Sequence, residues 1–170
     1  MPSASFSCMV AIVILFGPAN VHGQETGEES QETELAKLCE TAHYVLVGTV
    51  SQCESAGESG PPDGEARHWF YRMEVAHETD LFGELKDRAR QAREGAELEP
   101  VDQFVVHALL TRTAPLSEQI EPGTRCIVWL RHMRAGAMAG TIPVSMMDIQ
   151  PADDALVRRV RELIADRADR

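Results

Sequence analysis

One short stretch limits the folds open to this chain more than any other. Tyr44–Ser51 reads YVLVGTVS and places apolar, largely β-branched side chains at positions that point to both faces of a strand. A strand that is apolar on both faces must be buried on both faces, which predicts a central strand. Gly48 within it predicts a bend or the close approach of another backbone. A small closed barrel needs such a bend.

Four further segments have the composition of strands. His68–His77 alternates apolar and polar residues, with Trp69, Tyr71, Met73 and Val75 on one face. The other three are nearly continuous in apolar residues or bounded by turn residues, and they cover Phe104–Leu110, Arg125–Arg131 and Thr141–Ile149. Between them the sequence predicts loops over Ser55–Glu65 and Thr111–Gly123.

Two helices flank the strands. Glu34–Ala42 is predicted to be a short helix that leads straight into the central strand. The C-terminal segment can be capped by Asp153 or Asp154. It has an apolar stripe formed by Leu156, Val160, Leu163 and Ile164. Glu84–Pro100 is charged and only weakly helical, which predicts a solvated insert.

This order of elements predicts a mainly β fold. Five strands, an insert after the second and a terminal amphipathic helix are typical of a five-stranded OB-fold-like barrel. The short N-terminal helix completes a single domain over residues 35–170.

The N-terminal residues predict export. Cys8–Phe16 is an apolar run of nine residues, the length of a signal-peptide core and about half of a membrane span. Val21-His22-Gly23 offers short residues at a cleavage site, so residues 1–23 are predicted to be a signal peptide, with a buried N-terminal strand or helix as the alternative. Residues 24–34 are acidic and predict a disordered leader. The mature protein would be secreted or periplasmic, without an integral membrane segment.

The charge of the chain limits its partners. A formal net charge of −11 repels nucleic acids and anionic membranes at long range. No nucleic acid is therefore expected as a partner. The predicted fold, together with the lack of a catalytic motif, favours a protein partner instead.

The order and composition of several segments resemble netrin-like domains and tissue inhibitors of metalloproteinases. CETAHYVLVGTV (Cys39–Val50) resembles their cysteine-plus-strand opening, and YRMEVAHETDLFGEL (Tyr71–Leu85) their second strand and the corner after it. PGTRCIVWL (Pro122–Leu130) and TIPVSMMDIQPADDALVRRV (Thr141–Val160) are similar to their later strands, proline and helix. The resemblance implies an OB-fold-like barrel over about residues 39–165. In that family a cysteine at the mature N-terminus chelates the protease zinc, whereas here the predicted N-terminus is Gln24 and no Cys-x-Cys occurs.

No motif of the sequence carries catalytic chemistry. The histidines lie apart, without H-E-x-x-H or C-x-x-C spacing, and no serine stands in a G-x-S-x-G context. We therefore predict no catalytic, metal-binding or cofactor-binding residue. A stacking platform built from Trp69, Phe70, Tyr71 and Trp129 is the alternative to placing these aromatic residues in the core.

The prediction for function is a non-enzymatic, secreted or periplasmic OB-fold protein that binds another protein. One alternative is a metal-dependent hydrolase whose histidines come from several strands. Another is a structural component of the cell envelope.

The cysteines complete the sequence-based predictions. After signal removal Cys39, Cys53 and Cys126 remain, so at most one disulfide can form within a chain. Cys53 follows the first strand and Cys126 begins the fourth, and these strands should be antiparallel neighbours. A Cys53–Cys126 disulfide is therefore predicted, with three reduced thiols as the alternative.

Overall fold

The structure is a computed structural model that describes residues 27–60, 67–99, 103–133 and 140–168. The predicted signal peptide and its cleavage site lie outside these residues. Within the described part of the chain, no helix is long and apolar enough to span a membrane.

Five strands form a closed barrel, which confirms the predicted mainly β fold. Around the barrel the strands follow the order β1-β2-β3-β5-β4, and β4 pairs with β1 to close it. All pairings are antiparallel except that of β3 with β5, which is parallel and includes Leu110 opposite Met146. The strands are β1 (Tyr44–Ser59), β2 (His68–Phe82), β3 (Val105–Arg112), β4 (Arg125–His132) and β5 (Val144–Pro151).

The described residues contain three helices around this barrel. They are α1 (Gly27–Thr41), α2 (Leu85–Gly95) and α3 (Asp154–Ala168). Asp153 caps α3, because its Oδ1 accepts a hydrogen bond of 2.7 Å from the backbone N–H of Leu156.

β1 is buried on both faces, as its sequence predicts. Leu46 and Val50 point into the barrel interior, whereas Val45 and Val47 belong to a second core outside the barrel wall. α1 and α3 cover this outer face and pack there on β1 and β4. The second core contains Leu35, Cys39, Ala42, Val45, Val47, Ile127, Trp129, Val157, Val160 and Ile164.

The two covering helices run in the same direction. Near their N-terminal halves, Arg159 of α3 pairs with Glu32 of α1. Near their C-terminal ends, Nη1 of Arg167 donates hydrogen bonds of 2.9 Å to the carbonyl oxygens of Cys39 and Ala42. Because the helices are parallel, their N-terminal halves together border one concave surface, and a second concave surface lies at their C-terminal ends.

Several boundaries differ from the sequence-based predictions. β1 continues to Ser59, through residues predicted to be a loop, because they pair in register with the start of β2. β2 likewise continues through Leu81 and Phe82 before the chain turns at Gly83. α1 begins at Gly27 instead of Glu34, so the described part of the acidic leader is helical.

The burial of α2 and α3 also differs from the sequence-based predictions. α2 is not a fully solvated insert, since Leu85, Ala89 and Arg93 are buried. Burial of Arg93 is compatible with its charge because the guanidinium donates from Nε and Nη2 to the carbonyl oxygen of Glu99. On α3, Val157 is buried in the stripe, whereas Leu163 is only partly buried.

Candidate functional site

A groove of about 780 Å³ is a large concave surface among the described residues. It lies where the N-terminal halves of α1 and α3 meet β5, the end of β3 and the segment after β3. We call it the groove and define it by its floor of Leu35, Ile120, Ile149 and Leu156 and by its charged wall residues Glu32, Glu34, Arg112, Asp148, Asp153 and Arg159.

The floor of the groove is apolar and firmly packed. Ile149 and Ile120 belong to the barrel interior, and Leu35 belongs to the second core beneath α1 and α3. These three side chains are all nearly buried, so the floor is held by both cores of the protein. Leu156 packs on the second core and is partly exposed. An apolar side chain that entered the groove would meet a preformed surface.

One wall of the groove is an ion pair across the seam between β3 and β5. Arg112 Nη1 lies 2.6 Å from Asp148 Oδ1, and Gln150 Nε2 donates to Asp148 Oδ2 at 3.0 Å. The Asp148 side chain is only 17% exposed. Partial burial of a pair with a second hydrogen bond makes it more persistent than a surface ion pair. The wall is therefore fixed in position.

The opposite wall comes from the two parallel helices. Arg159 donates from Nε to Glu32 Oε1 at 2.7 Å and from Nη1 to Glu162 Oε2 at 3.2 Å. This pairing joins the rims of α1 and α3. Glu34 adds a carboxylate on α1, and no described residue forms an ion pair with it.

Carboxylates outnumber guanidinium groups along the groove. Both arginines that line it, Arg112 and Arg159, are already paired with carboxylates of its walls. The remaining wall charge is negative and comes from Glu34 and Asp153. Together with the net charge of −11, this favours a ligand with basic groups.

The cysteines do not form the predicted Cys53–Cys126 disulfide in this structure. Cys39, Cys53 and Cys126 are all free. The predicted antiparallel neighbourhood of β1 and β4 is confirmed, but β1 extends well past the start of β4, so that Cys126 lies opposite Gly48 and Cys53 lies opposite Met73 of β2. Gly48 and Cys53 are five residue steps apart along β1, or about 16 Å along a straight strand. A disulfide allows a Cα separation of only about 4.4–6.8 Å.

Two of the histidines pair with a carboxylate. His77 Nε2 lies 3.0 Å from Asp80 Oδ1, and His107 Nδ1 lies 3.2 Å from Glu74 Oε1 on the neighbouring strand. Among the described residues, no group of three or more His, Cys, Asp or Glu side chains is arranged to hold a metal ion.

The aromatic residues do not form one stacking platform. Trp129 is fully buried in the second core. Tyr71 packs against the barrel interior, and its hydroxyl oxygen accepts a hydrogen bond of 3.0 Å from the N–H of Leu116. Tyr71 and Trp129 therefore have structural roles.

Sequence reasoning does not identify the groove. Its residues come from α1, β3, the segment after β3, β5 and α3, and within each element they look like ordinary surface or core positions. The available signals are the acidic composition of the leader and two charged residues in strands, Arg112 at the end of β3 and Asp148 within β5.

Comparisons with known proteins add no family assignment. No protein-family model matches the sequence. A search of curated proteins finds no significant match. The relationship to netrin-like domains stays a hypothesis.

Proposed function

We propose that this protein is a non-enzymatic, secreted or periplasmic OB-fold-like protein that binds an extended segment of another protein in the groove. The observation that carries the proposal is the combination of a rigid apolar floor with walls on which carboxylates outnumber guanidinium groups. An apolar centre with a polar rim is the usual composition of a protein-binding surface.

The shape of the groove favours a polypeptide over a small molecule. Pockets for small ligands bury most of the ligand surface within walls that are predominantly apolar. The groove is instead a trough between the helix pair and the barrel, and charged side chains line it together with apolar ones. An extended segment can place alternate side chains on the floor and leave the others in water.

Charge defines the partner further. Glu34 and Asp153 are carboxylates of the walls that lack an arginine partner among the described residues, so a lysine or arginine of the segment could pair with them. The net charge of the chain would increase the association rate of a basic segment at low ionic strength. We therefore propose a segment with at least one apolar and one basic side chain.

The remaining parts of the proposal rest on the sequence. Export is inferred from the apolar run Cys8–Phe16 and the Val21-His22-Gly23 site, and the lack of activity from the absence of a nucleophile or metal-binding motif. Metal analysis tests the hydrolase alternative. Stoichiometric zinc or iron in the purified protein would contradict the non-enzymatic proposal.

A pair of tryptophan substitutions on one helix tests the groove. Ala155→Trp places a large ring in the groove, whereas Ala165→Trp places the same ring on an exposed position of α3 outside it. Both positions are exposed, so both variants should fold. In affinity capture from an envelope or extracellular extract, we expect a protein retained by the wild type and by Ala165→Trp to be lost with Ala155→Trp.

The same experiment can contradict the proposal. If Ala155→Trp retains every partner of the wild-type protein, the groove is not the binding surface. Loss of binding in both variants, with thermal unfolding of both unchanged, would place the binding surface elsewhere on α3.

A further inference from the structure

A second concave surface, at the other end of the helix pair, has the opposite charge. It has a volume of about 310 Å³, and we call it the cationic cleft. Four basic residues line it: His43 just before β1, Arg88 of α2, His132 at the end of β4 and Arg167 of α3. No carboxylate is among the described residues that line it. In a chain of net charge −11, such a cluster requires an explanation.

The guanidinium group of Arg167 is held in place by the fold. Its Cζ lies 4.5 Å from the centroid of the Phe82 ring, and its Nη1 donates to two carbonyl oxygens at the C-terminal end of α1. Among the described residues, its Nε and Nη2 have no hydrogen-bond partner. Arg167 therefore neutralises the negative end of the α1 dipole and still has donors for a ligand.

Arg88 provides a second guanidinium group to the same cleft. Its Cζ lies 5.8 Å from the centroid of the Tyr44 ring, a distance at which a cation is attracted to the aromatic face. No ion pair between described residues includes Arg88, Arg131 or Arg167. No carboxylate of the described residues therefore balances their positive charges within contact distance.

The floor of the cleft depends on a glycine. Gly83 has a φ of 91°, and a Cβ atom there would overlap the carbonyl oxygen of His43 and approach Tyr44 Cδ1 to 2.7 Å. The chain can therefore turn from β2 into α2 close to the start of β1, which brings Arg88 beside His43. The cleft is a product of the turn and not a chance grouping of long side chains.

The two imidazole groups add charge that depends on pH. Partial loss of solvation lowers the pKa of His43 below its ordinary value. The charges of His132, Arg131 and Arg167 lower this pKa further. All the charged neighbours that act on His43 are thus cations, supplied by β4 and α3. Because protonation gives an imidazole ring a positive charge, the positive charge of the cleft increases as the pH falls.

We infer that the cationic cleft binds a doubly charged tetrahedral oxyanion, namely a phosphate or sulfate group, with an affinity that rises as pH falls. Two guanidinium groups can each direct donors to different oxygens of such a group, which a monocarboxylate offers less well. The group must be a single one, free or attached to a small molecule, because the net charge of the chain repels an extended polyanion. A small anion in the cleft interacts mainly with the charges within a Debye length of about 8–10 Å, and those nearest to it are the arginines of the cleft.

Titration of the full mature chain with inorganic sulfate at low ionic strength tests the inference. Sulfate keeps both charges between pH 5 and pH 8, so any pH dependence must come from the protein. We expect saturable binding that shifts the imidazole proton resonances of His43 and His132, and roughly threefold to tenfold tighter binding at pH 5 than at pH 8. Acetate, with a single charge, should bind more weakly.

Matched variants separate the cleft from general screening. Arg88→Gln should weaken sulfate binding roughly twofold to fivefold. Arg90→Gln removes the same charge from the same helix at an exposed position that pairs with Asp87, and it should leave sulfate affinity unchanged. His43→Gln should reduce the pH dependence without unfolding the protein, since His43 is exposed. Equal losses in Arg88→Gln and Arg90→Gln, or no saturable binding at pH 5, would overturn the inference.

A comparison of ligands identifies the source of the group. Tighter binding of glycerol 3-phosphate than of inorganic phosphate at the same pH supports a phosphoester ligand, and equal binding supports the free ion. This site does not depend on the proposed polypeptide groove, because the two surfaces lie at opposite ends of α1 and α3 and are tested with different substitutions.

Discussion

Replacing Gly48 by alanine tests the barrel at its closest backbone contact. Gly48 lies in the middle of β1, between β2 and β4, opposite His77 and Cys126. A Cβ atom at this position would lie 2.5 Å from the carbonyl oxygen of Ala76 and 2.7 Å from Val75 Cγ1. The first of these distances is about 0.9 Å shorter than ordinary van der Waals contact.

The expected cost follows from which atoms must move. The carbonyl oxygen of Ala76 belongs to a paired strand, so relief requires β1 and β2 to separate, whereas a flexible side chain could simply rotate. Overpacking of this kind costs about 1–3 kcal/mol. The loss of backbone freedom in the unfolded chain offsets about 0.4–1 kcal/mol, because Gly48 is not among the glycines with positive φ. We expect Gly48→Ala to destabilise the protein by about 1–2 kcal/mol.

Urea unfolding followed by circular dichroism measures this difference, with thermal unfolding as a second measurement. For a domain of this size, the midpoint temperature should fall by about 3–8 °C. Gly95→Ala is the matched control, since Gly95 is exposed at the end of α2 and a Cβ atom there would meet nothing within 4 Å. The control should be neutral or stabilised by up to about 1 kcal/mol. A Gly48→Ala protein as stable as the wild type would refute the close approach of β2.

Three further predictions concern the second core, the thiols and export. Val160→Asp should lower the free energy of unfolding by several kcal/mol, because it buries an unpaired carboxylate between α3 and the barrel. Leu163→Asp should lower it by less, because Leu163 is only partly buried. Equal thermal unfolding of the two variants would contradict this packing. Burial raises the pKa of the Cys126 thiol to about 11, so that roughly one thiol in a thousand is ionised at pH 8. Iodoacetamide should therefore label the partly exposed Cys53 before Cys126 in the native protein, as measured by peptide mapping. Equal labelling of the two cysteines, or a disulfide between them, would contradict the structure. N-terminal sequencing of the exported protein should begin at or near Gln24, and an intact Met1 on cytoplasmic protein would exclude the signal peptide.

The positions of the strands could be predicted because the barrel gives each of them a repeating pattern. β1 and β4 are covered on both sides, so they read as nearly continuous apolar runs, and β2 alternates because one of its faces meets water. The outer half of β1 could not be predicted in this way. Residues 55–59 have no apolar pattern. They are extended because they pair with the start of β2, and the local sequence does not show that this pairing forms.

The helix boundaries show the same limit. α1 begins in acidic residues without an apolar stripe, and part of what orders them is the contact between Glu32 and Arg159 on α3. Arg93 is buried because a backbone carbonyl accepts its donors, and this partner appears only when the chain folds back after α2. Local composition cannot show that a charged residue has such a partner.

The sequence by itself determined the fold class, the central strand, the capped C-terminal helix and the negative net charge. These properties depend on the period and composition of single segments, which a chain retains before it folds. The tertiary structure alone decided the separation of Cys53 from Cys126, the ion pair of Arg112 with Asp148, and the two oppositely charged surfaces at the ends of α1 and α3. Each of these joins residues that are distant along the chain, and pairing register and helix direction bring them together only when the barrel closes.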